Sequence, residues 1–297
     1  MRPKLTVVVT CTDRKSAPAS HDCQVRNLPM ESLTERHDSW MHRLEAAADK
    51  RPVGSLYAGA AWRRTDAVLD AAASAGFEPR LFVASAGLGL VAASAMAPAY
   101  GATFTARQAD SVASSVAGNR VWWARFRAGG GNALPDLPDG AGDATIVVLS
   151  EAYAATLDAD LTDLAHAPGD HLLVGGARDV PGMTRVRSDL GLRHALGGTA
   201  LSLNLRMAEE WLRKLKQAKL TDDETTKTWE TWAHRVRRIE HYERDAMTDA
   251  QVLEFVSCLT SKHPTVSRTR ALRALRDSGH ACEQARFARL FNQAVIQ

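Results

Sequence analysis

Lys4-Leu5-Thr6-Val7-Val8-Val9-Thr10, followed at once by Cys11-Thr12-Asp13-Arg14-Lys15, is the stretch that decides the fold. A β-branched apolar run without polar alternation is the pattern of a strand covered on both faces, and the polar turn ends it. Working outward, Arg80–Ala84 (RLFVA), Thr145–Leu149 (TIVVL) and His171–Gly175 (HLLVG) repeat the pattern, with Met183–Val186 as a further short strand. Helical periodicity separates them, over Glu31–Asp49, Ala60–Ala75, Ser111–Arg127 and Ala152–Ala165. Strands alternating with helices predict an α/β fold, a mixed sheet flanked by helices whose strands are mainly parallel.

After Gly197-Gly198 the chain changes in kind. A long helix is expected over Ser202–Lys219, and the last third shows helical periodicity and no convincing strand. Thr221-Asp222-Asp223-Glu224 starts one helix in the manner of an N-cap with an acidic first turn, Thr248 and Ser267 begin two more, and a last helix is expected over Ala281–Ile296. The expected division is an α/β domain, residues 1–205, and a smaller all-helical domain, residues 206–297.

Composition narrows the class. With 297 residues, 45% hydrophobic and 24% charged, the chain is globular rather than disordered, and 20 Gly with 11 Pro excludes collagen. No apolar run reaches the roughly 18 residues of a membrane span, and four scattered cysteines do not form a disulfide framework. A cytoplasmic protein without a membrane partner is expected. The formal net charge is +3, and it divides unevenly: −1 over residues 1–205, +4 over 206–297, and +5 from Lys262 onward. A basic end of this kind suits phosphate, so DNA is the expected partner.

Three segments within residues 1–205 resemble the YaaA family of peroxide-stress-response proteins and its shorter relatives of defence and base-modification neighbourhoods. The first is Thr10–Lys15 with the Leu56-Tyr57-Ala58-Gly59 step. The second is Ala84-Ser85-Ala86-Gly87-Leu88-Gly89-Leu90 with Pro98-Ala99-Tyr100, where Leu88 replaces the family's aromatic. The third is Leu149-Ser150-Glu151-Ala152-Tyr153. The resemblance implies a mixed α/β fold and a DNA-associated role in genome protection.

The chemistry follows from the strand ends. In open α/β sheets ligands bind beyond the carboxyl ends of the strands, where Asp13, Lys15, the Ser85–Gly89 turn and Glu151–Tyr153 are expected to converge. A carboxylate there can stabilise the positive charge that develops on a sugar during N-glycosidic hydrolysis, and Asp13 then Glu151 are the catalytic candidates. Lys15, Ser85, Gly87 and Gly89 are expected to hold phosphate or base, and Tyr57, Tyr100 and Tyr153 to offer rings. Trp122-Trp123 among Arg120, Arg125 and Arg127 could hold single-stranded bases.

Against these stand plainer roles: a turn aspartate, turn glycines, core tyrosines and a helix-start glutamate. No GxxxxGK[ST], HExxH or GxSxG occurs, Cys258, His263, His280 and Cys282 match no zinc spacing, and no cofactor or metal is expected. The stretch Ser267–Ile296 has a helix–turn–helix outline, with Arg268, Arg270, Gln284, Arg286 and Arg289 as DNA-contact candidates. The expected function is a glycosylase-type hydrolase acting on a modified or damaged base. The alternatives are a non-catalytic DNA-binding protein and a nucleotide-binding effector.

Overall fold

The computed structural model describes residues 2–138, 140, 142–238 and 244–296. The chain divides into two compact units, Met1–Arg238 and Ile239–Gln297. The division falls later than Leu205 for a packing reason. Helices Leu203–Lys214 and Asp223–Val236 stay with the first unit, where Met207, Trp211, Leu212, Trp229 and Ala233 join its core.

The first unit is built on a six-stranded mixed sheet: β1 (Lys4–Thr10), β2 (Glu78–Ser85), β3 (Gly89–Ala92), β4 (Ala144–Leu149), β5 (Asp170–Gly175) and β6 (Thr184–Val186). The order is β3-β2-β1-β4-β5-β6. All neighbours are parallel except β2 and β3, which form a hairpin pairing Ser85 with Gly89. Residues Leu5 to Val9 are all buried, as a strand covered on both faces requires. The chain leaves β1 toward β2 on one side and leaves β4 toward β5 on the other, so a topological switch lies between β1 and β4.

The helices of six or more residues that accompany the sheet, among the described residues, are α1 (Leu33–Ala46), α2 (Arg64–Ser74), α3 (Val116–Ala128), α4 (Glu151–Thr156), α5 (Asp158–His166), α6 (Leu203–Lys214) and α7 (Asp223–Val236). Helix α1 starts at Ser32, whose side chain and that of Glu35 form a capping box, and it buries His37, Trp40 and Leu44. Helices α2 and α6 pack together, α6 also touching β4 and β5, while α3 packs on α1 and α4. A short antiparallel ribbon joins Lys50–Pro52 to Met96–Pro98.

The second unit holds α8 (Asp249–Lys262), α9 (Arg268–Asp277) and α10 (Gln284–Ile296). Its own core contains Val252, Val256, Leu272, Leu275, Phe287 and Leu290. Thr248 and Ser267 cap α8 and α9 as expected. A two-residue parallel ladder, Asp245–Ala246 with His280–Ala281, was not expected in this helical end. Among the described residues no helix is long and apolar enough to cross a membrane.

Candidate functional site

The loop leaving β1 is pinned by main-chain bonds on both sides. Cys11 N donates to Ala84 O at 3.0 Å, Ala58 N donates to Arg14 O at 2.9 Å, and Ser16 N donates to Leu56 O at 2.8 Å. The Leu56–Gly59 step is therefore the bed on which the Asp13–Lys15 turn lies. From the other side of the switch, the Tyr153 hydroxyl on α4 meets Cys11 Sγ at 2.9 Å.

Behind this turn lies a buried hydroxyl cluster. Ser85 Oγ and Tyr100 Oη are 2.5 Å apart, and Tyr100 Oη and Tyr57 Oη 2.8 Å. Ser85 Oγ also accepts from Gly87 N at 3.1 Å and from Leu88 N at 3.0 Å. A serine oxygen has two lone pairs, so its hydrogen must point to Tyr100. Burial pushes the Tyr57, Tyr100 and Tyr153 phenols above the usual tyrosine range. All three are neutral donors and acceptors, not bases.

In front of the cluster opens a cleft of about 450 Å³, lined by Asp13, Lys15, Gln24, Arg26, Tyr100, Gly101, Asp110 and the Ser16–Ala19 segment. Asp13 is exposed within it. Lys15 Nζ donates to Thr12 O at 2.6 Å and lies 4.5 Å from the Tyr100 ring centroid and 5.1 Å from that of Tyr57. Burial pulls its ammonium below the usual lysine range, against the opposing pull of Cys11, Asp13 and Asp110. Arg26 grips Asp110 through Nε at 2.8 Å and through Nη2, which holds the Asp110 carboxyl below its usual range.

The expected residues are distributed as follows. Asp13, Lys15 and Tyr100 share the cleft. Ser85 is fully buried and Tyr57 nearly so, behind the cleft rather than in it. Glu151 is exposed in the first turn of α4 and lines none of the clefts described, so it does not join Asp13. The tyrosine rings are core rather than open platforms.

The glycine turn does not offer a phosphate cradle, because the Gly87 and Leu88 N–H groups are turned inward to Ser85. Gly87 is glycine because a Cβ there would lie 2.5 Å from Tyr100 Cε2. Gly89 has φ +71°, and a Cβ on it would meet Phe126 at 2.8 Å. Trp122 and Trp123 are likewise buried, their indole N–H groups donating to Ala86 O at 2.8 Å and Asp160 Oδ2 at 3.0 Å, so no single-strand platform forms.

In the helical unit, Arg268, Arg270, Gln284 and Arg289 are exposed, Arg286 less so. Arg286 and Arg289 are both bound by Asp249, at 2.5 and 3.0 Å. Between α9 and α10 lie six residues, 278–283, longer than the three- or four-residue turn of a helix–turn–helix. Charge changes with the boundary as well. Residues 239–297 hold eight Lys+Arg and seven Asp+Glu, net +1, because acidic residues before Lys262 offset the basic end. Among the described residues no group of His, Cys, Asp or Glu could hold a metal ion.

Arg26, Asp110 and Gln24 are the site residues that sequence patterns missed. Arg26 and Asp110 are 84 positions apart in two loops, and only the position of Arg26 in the loop after the central strand hinted at it. A larger cleft of about 650 Å³ lies along the edge strand β6. Its guanidiniums are already paired, Arg185 and Arg187 with Asp179 and Arg237 with Asp189, and it stands away from the switch. Compared with protein-family models, curated proteins and solved structures, the chain matches none.

Proposed function

We propose that the first unit is a hydrolase of N-glycosidic bonds, acting on a modified or damaged base in DNA as part of genome protection or phage defence. The observation that carries this is Asp13. It is an exposed carboxylate at the carboxyl end of the central strand, in a cleft of about 450 Å³ whose walls also carry Lys15 and Arg26. That volume accommodates one nucleoside unit. A base inside a duplex would have to be flipped out to reach it.

In this reading Asp13 stabilises the cationic sugar and orients the attacking water, while Lys15, the cleft cation with no ion pair among the described residues, attracts a phosphate and Arg26 is held by Asp110. The four cysteines are free thiols, which fits the cytoplasmic location expected from their scatter.

A second reading, a free nucleotide as substrate or effector, is favoured by the helical unit. With Arg286 and Arg289 held by Asp249, that unit offers less free positive charge for DNA than its sequence suggests. One experiment covers both. The protein is incubated with duplexes and single strands carrying modified bases and with a nucleotide panel, and free base is measured. Base release lowered at least 100-fold in Asp13→Asn supports the proposal; no release from any substrate, or release untouched by Asp13→Asn, overturns it.

A further inference from the structure

We infer that Lys15 is an imine-forming lysine, whose amine condenses with the C1′ aldehyde of a sugar that has lost its base. This rests on the glycosidase reading, since removal of a base leaves a sugar in equilibrium with its open-chain aldehyde. Four features of the site lead to it.

First, Lys15 lines the same cleft as Asp13, so the amine and a carboxylate able to move its protons face one ligand. Second, the Nζ is fixed rather than free to wander. It is anchored by Thr12 O at 2.6 Å, with Asp13 O at 3.4 Å, and one of its three donor positions remains for a ligand. Third, among the described residues no carboxylate is within ion-pair distance of Lys15. Burial, the largest influence on it, favours the neutral amine that a nucleophile needs. Fourth, the Tyr100 and Tyr57 rings lie 4.5 and 5.1 Å from the nitrogen. Their faces favour a cation there, and the iminium product keeps its charge on that same nitrogen.

The step balances without any redox partner. A solvent water relays one proton from the ammonium to the Asp13 carboxylate, which lies beyond direct reach of the nitrogen, and the amine lone pair forms the C–N bond to C1′ as the carbonyl π pair moves to oxygen. A second proton passes from nitrogen to that oxygen, and Asp13 returns the first as the hydroxyl departs. One ammonium and one aldehyde thus become one iminium and one water.

The test supplies an oligonucleotide with a single abasic site and sodium cyanoborohydride, which reduces an imine to a stable amine, followed by peptide mapping of the full-length protein. The expected result is one dominant adduct on the Lys15 peptide, reduced at least tenfold in Lys15→Arg. No adduct, or one spread evenly over other lysines, overturns the inference, and mapping of the unmodified sequence decides this even if the variant folds poorly. Base release without a Lys15 adduct removes the imine and leaves the glycosidase reading. A Lys15 adduct without base release keeps the imine and removes the glycosidase reading.

Discussion

Cys11 Sγ and the Tyr153 hydroxyl meet at 2.9 Å across the switch between β1 and β4, joining residues 142 positions apart. The contact ties the loop after the first strand to the helix after the fourth, at the point where the strand order reverses. Asp13 and Lys15 follow Cys11 within four residues, so whatever fixes Cys11 also fixes the cleft wall. Cys11→Ala and Tyr153→Phe are expected to show a coupling of about 0.5–1.5 kcal/mol in a double-mutant cycle by urea denaturation. Strictly additive effects would mean that the contact carries no energy.

Ser85 is the acceptor for the buried Gly87 N–H and the half-buried Leu88 N–H, and a partner of the buried Tyr100 hydroxyl. Ser85→Ala leaves those groups without that partner, at a cost of about 1–3 kcal/mol. Ser85→Cys keeps a weak acceptor of similar size and is expected to lose less. Equal stability of the alanine variant and the native protein would refute the role given to this hydroxyl.

The Gly87 position is closed by the Tyr100 ring. Gly87→Ala therefore forces the ring or the hairpin turn to move, and is expected to destabilise by about 1–3 kcal/mol. Because Tyr100 also forms the back of the cleft, the same substitution should weaken ligand binding there. Combining it with Tyr100→Ala should recover part of the stability, as two residues sharing one volume must couple. No recovery in the pair would show that strain arises elsewhere.

The sheet was legible where burial forces composition. β1, β4 and β5 are covered on both faces, so Val7–Val9, Ile146–Val148 and Leu172–Val174 carry no polar interruption. Strand β3 escaped because Gly89-Leu90-Val91-Ala92 is four residues after a glycine turn, too short for any period to show. Helix α6 was expected, but not that it belongs with the sheet. Amphipathicity shows which face is buried, not which partner covers it.

At the site, Asp13 and Lys15 could be found because their strand could be found. The tyrosines were noticed for their rings, whereas the structure uses their hydroxyls, in contacts spanning 15 to 142 positions. Such pairings arise from topology and leave no local pattern.

His37 supplies a pH-dependent contribution. It is buried between Trp122 and Phe126, and burial, with the Arg125 charge adding to it, lowers its pKa to about 4. In the unfolded chain a histidine titrates near about 6.5. Between those values the unfolded chain holds a proton that the folded chain refuses, so stability is complete above about 6.5 and falls as pH drops toward 4. His171, also lowered by burial, adds in the same direction, while Asp160, raised by burial, opposes. His37→Leu should flatten the slope of urea-unfolding stability between pH 6.5 and 4. An unchanged slope would place the proton uptake on another group.

The helical unit can be tested through Asp249, which holds two of the arginines expected to touch DNA. Its carboxylate meets Arg286 at 2.5 Å and Arg289 at 3.0 Å, and both keep it below the usual aspartate range. A phosphate would have to compete with a carboxylate already in place. Arg268 and Arg270, at the start of α9, are exposed and have no ion pair among the described residues. If this unit binds DNA, Arg268→Ala with Arg270→Ala should weaken binding and reduce the salt slope by about 2, one for each phosphate no longer neutralised. Arg289→Ala should change binding much less, since its charge is already spent on Asp249. Asp249→Asn releases both guanidiniums and should strengthen binding while steepening its salt dependence. A fluorescence-anisotropy titration of a labelled duplex at several salt concentrations measures each of these variants against the native protein. If none of the substitutions moves the affinity, the DNA contact does not lie on the helical unit.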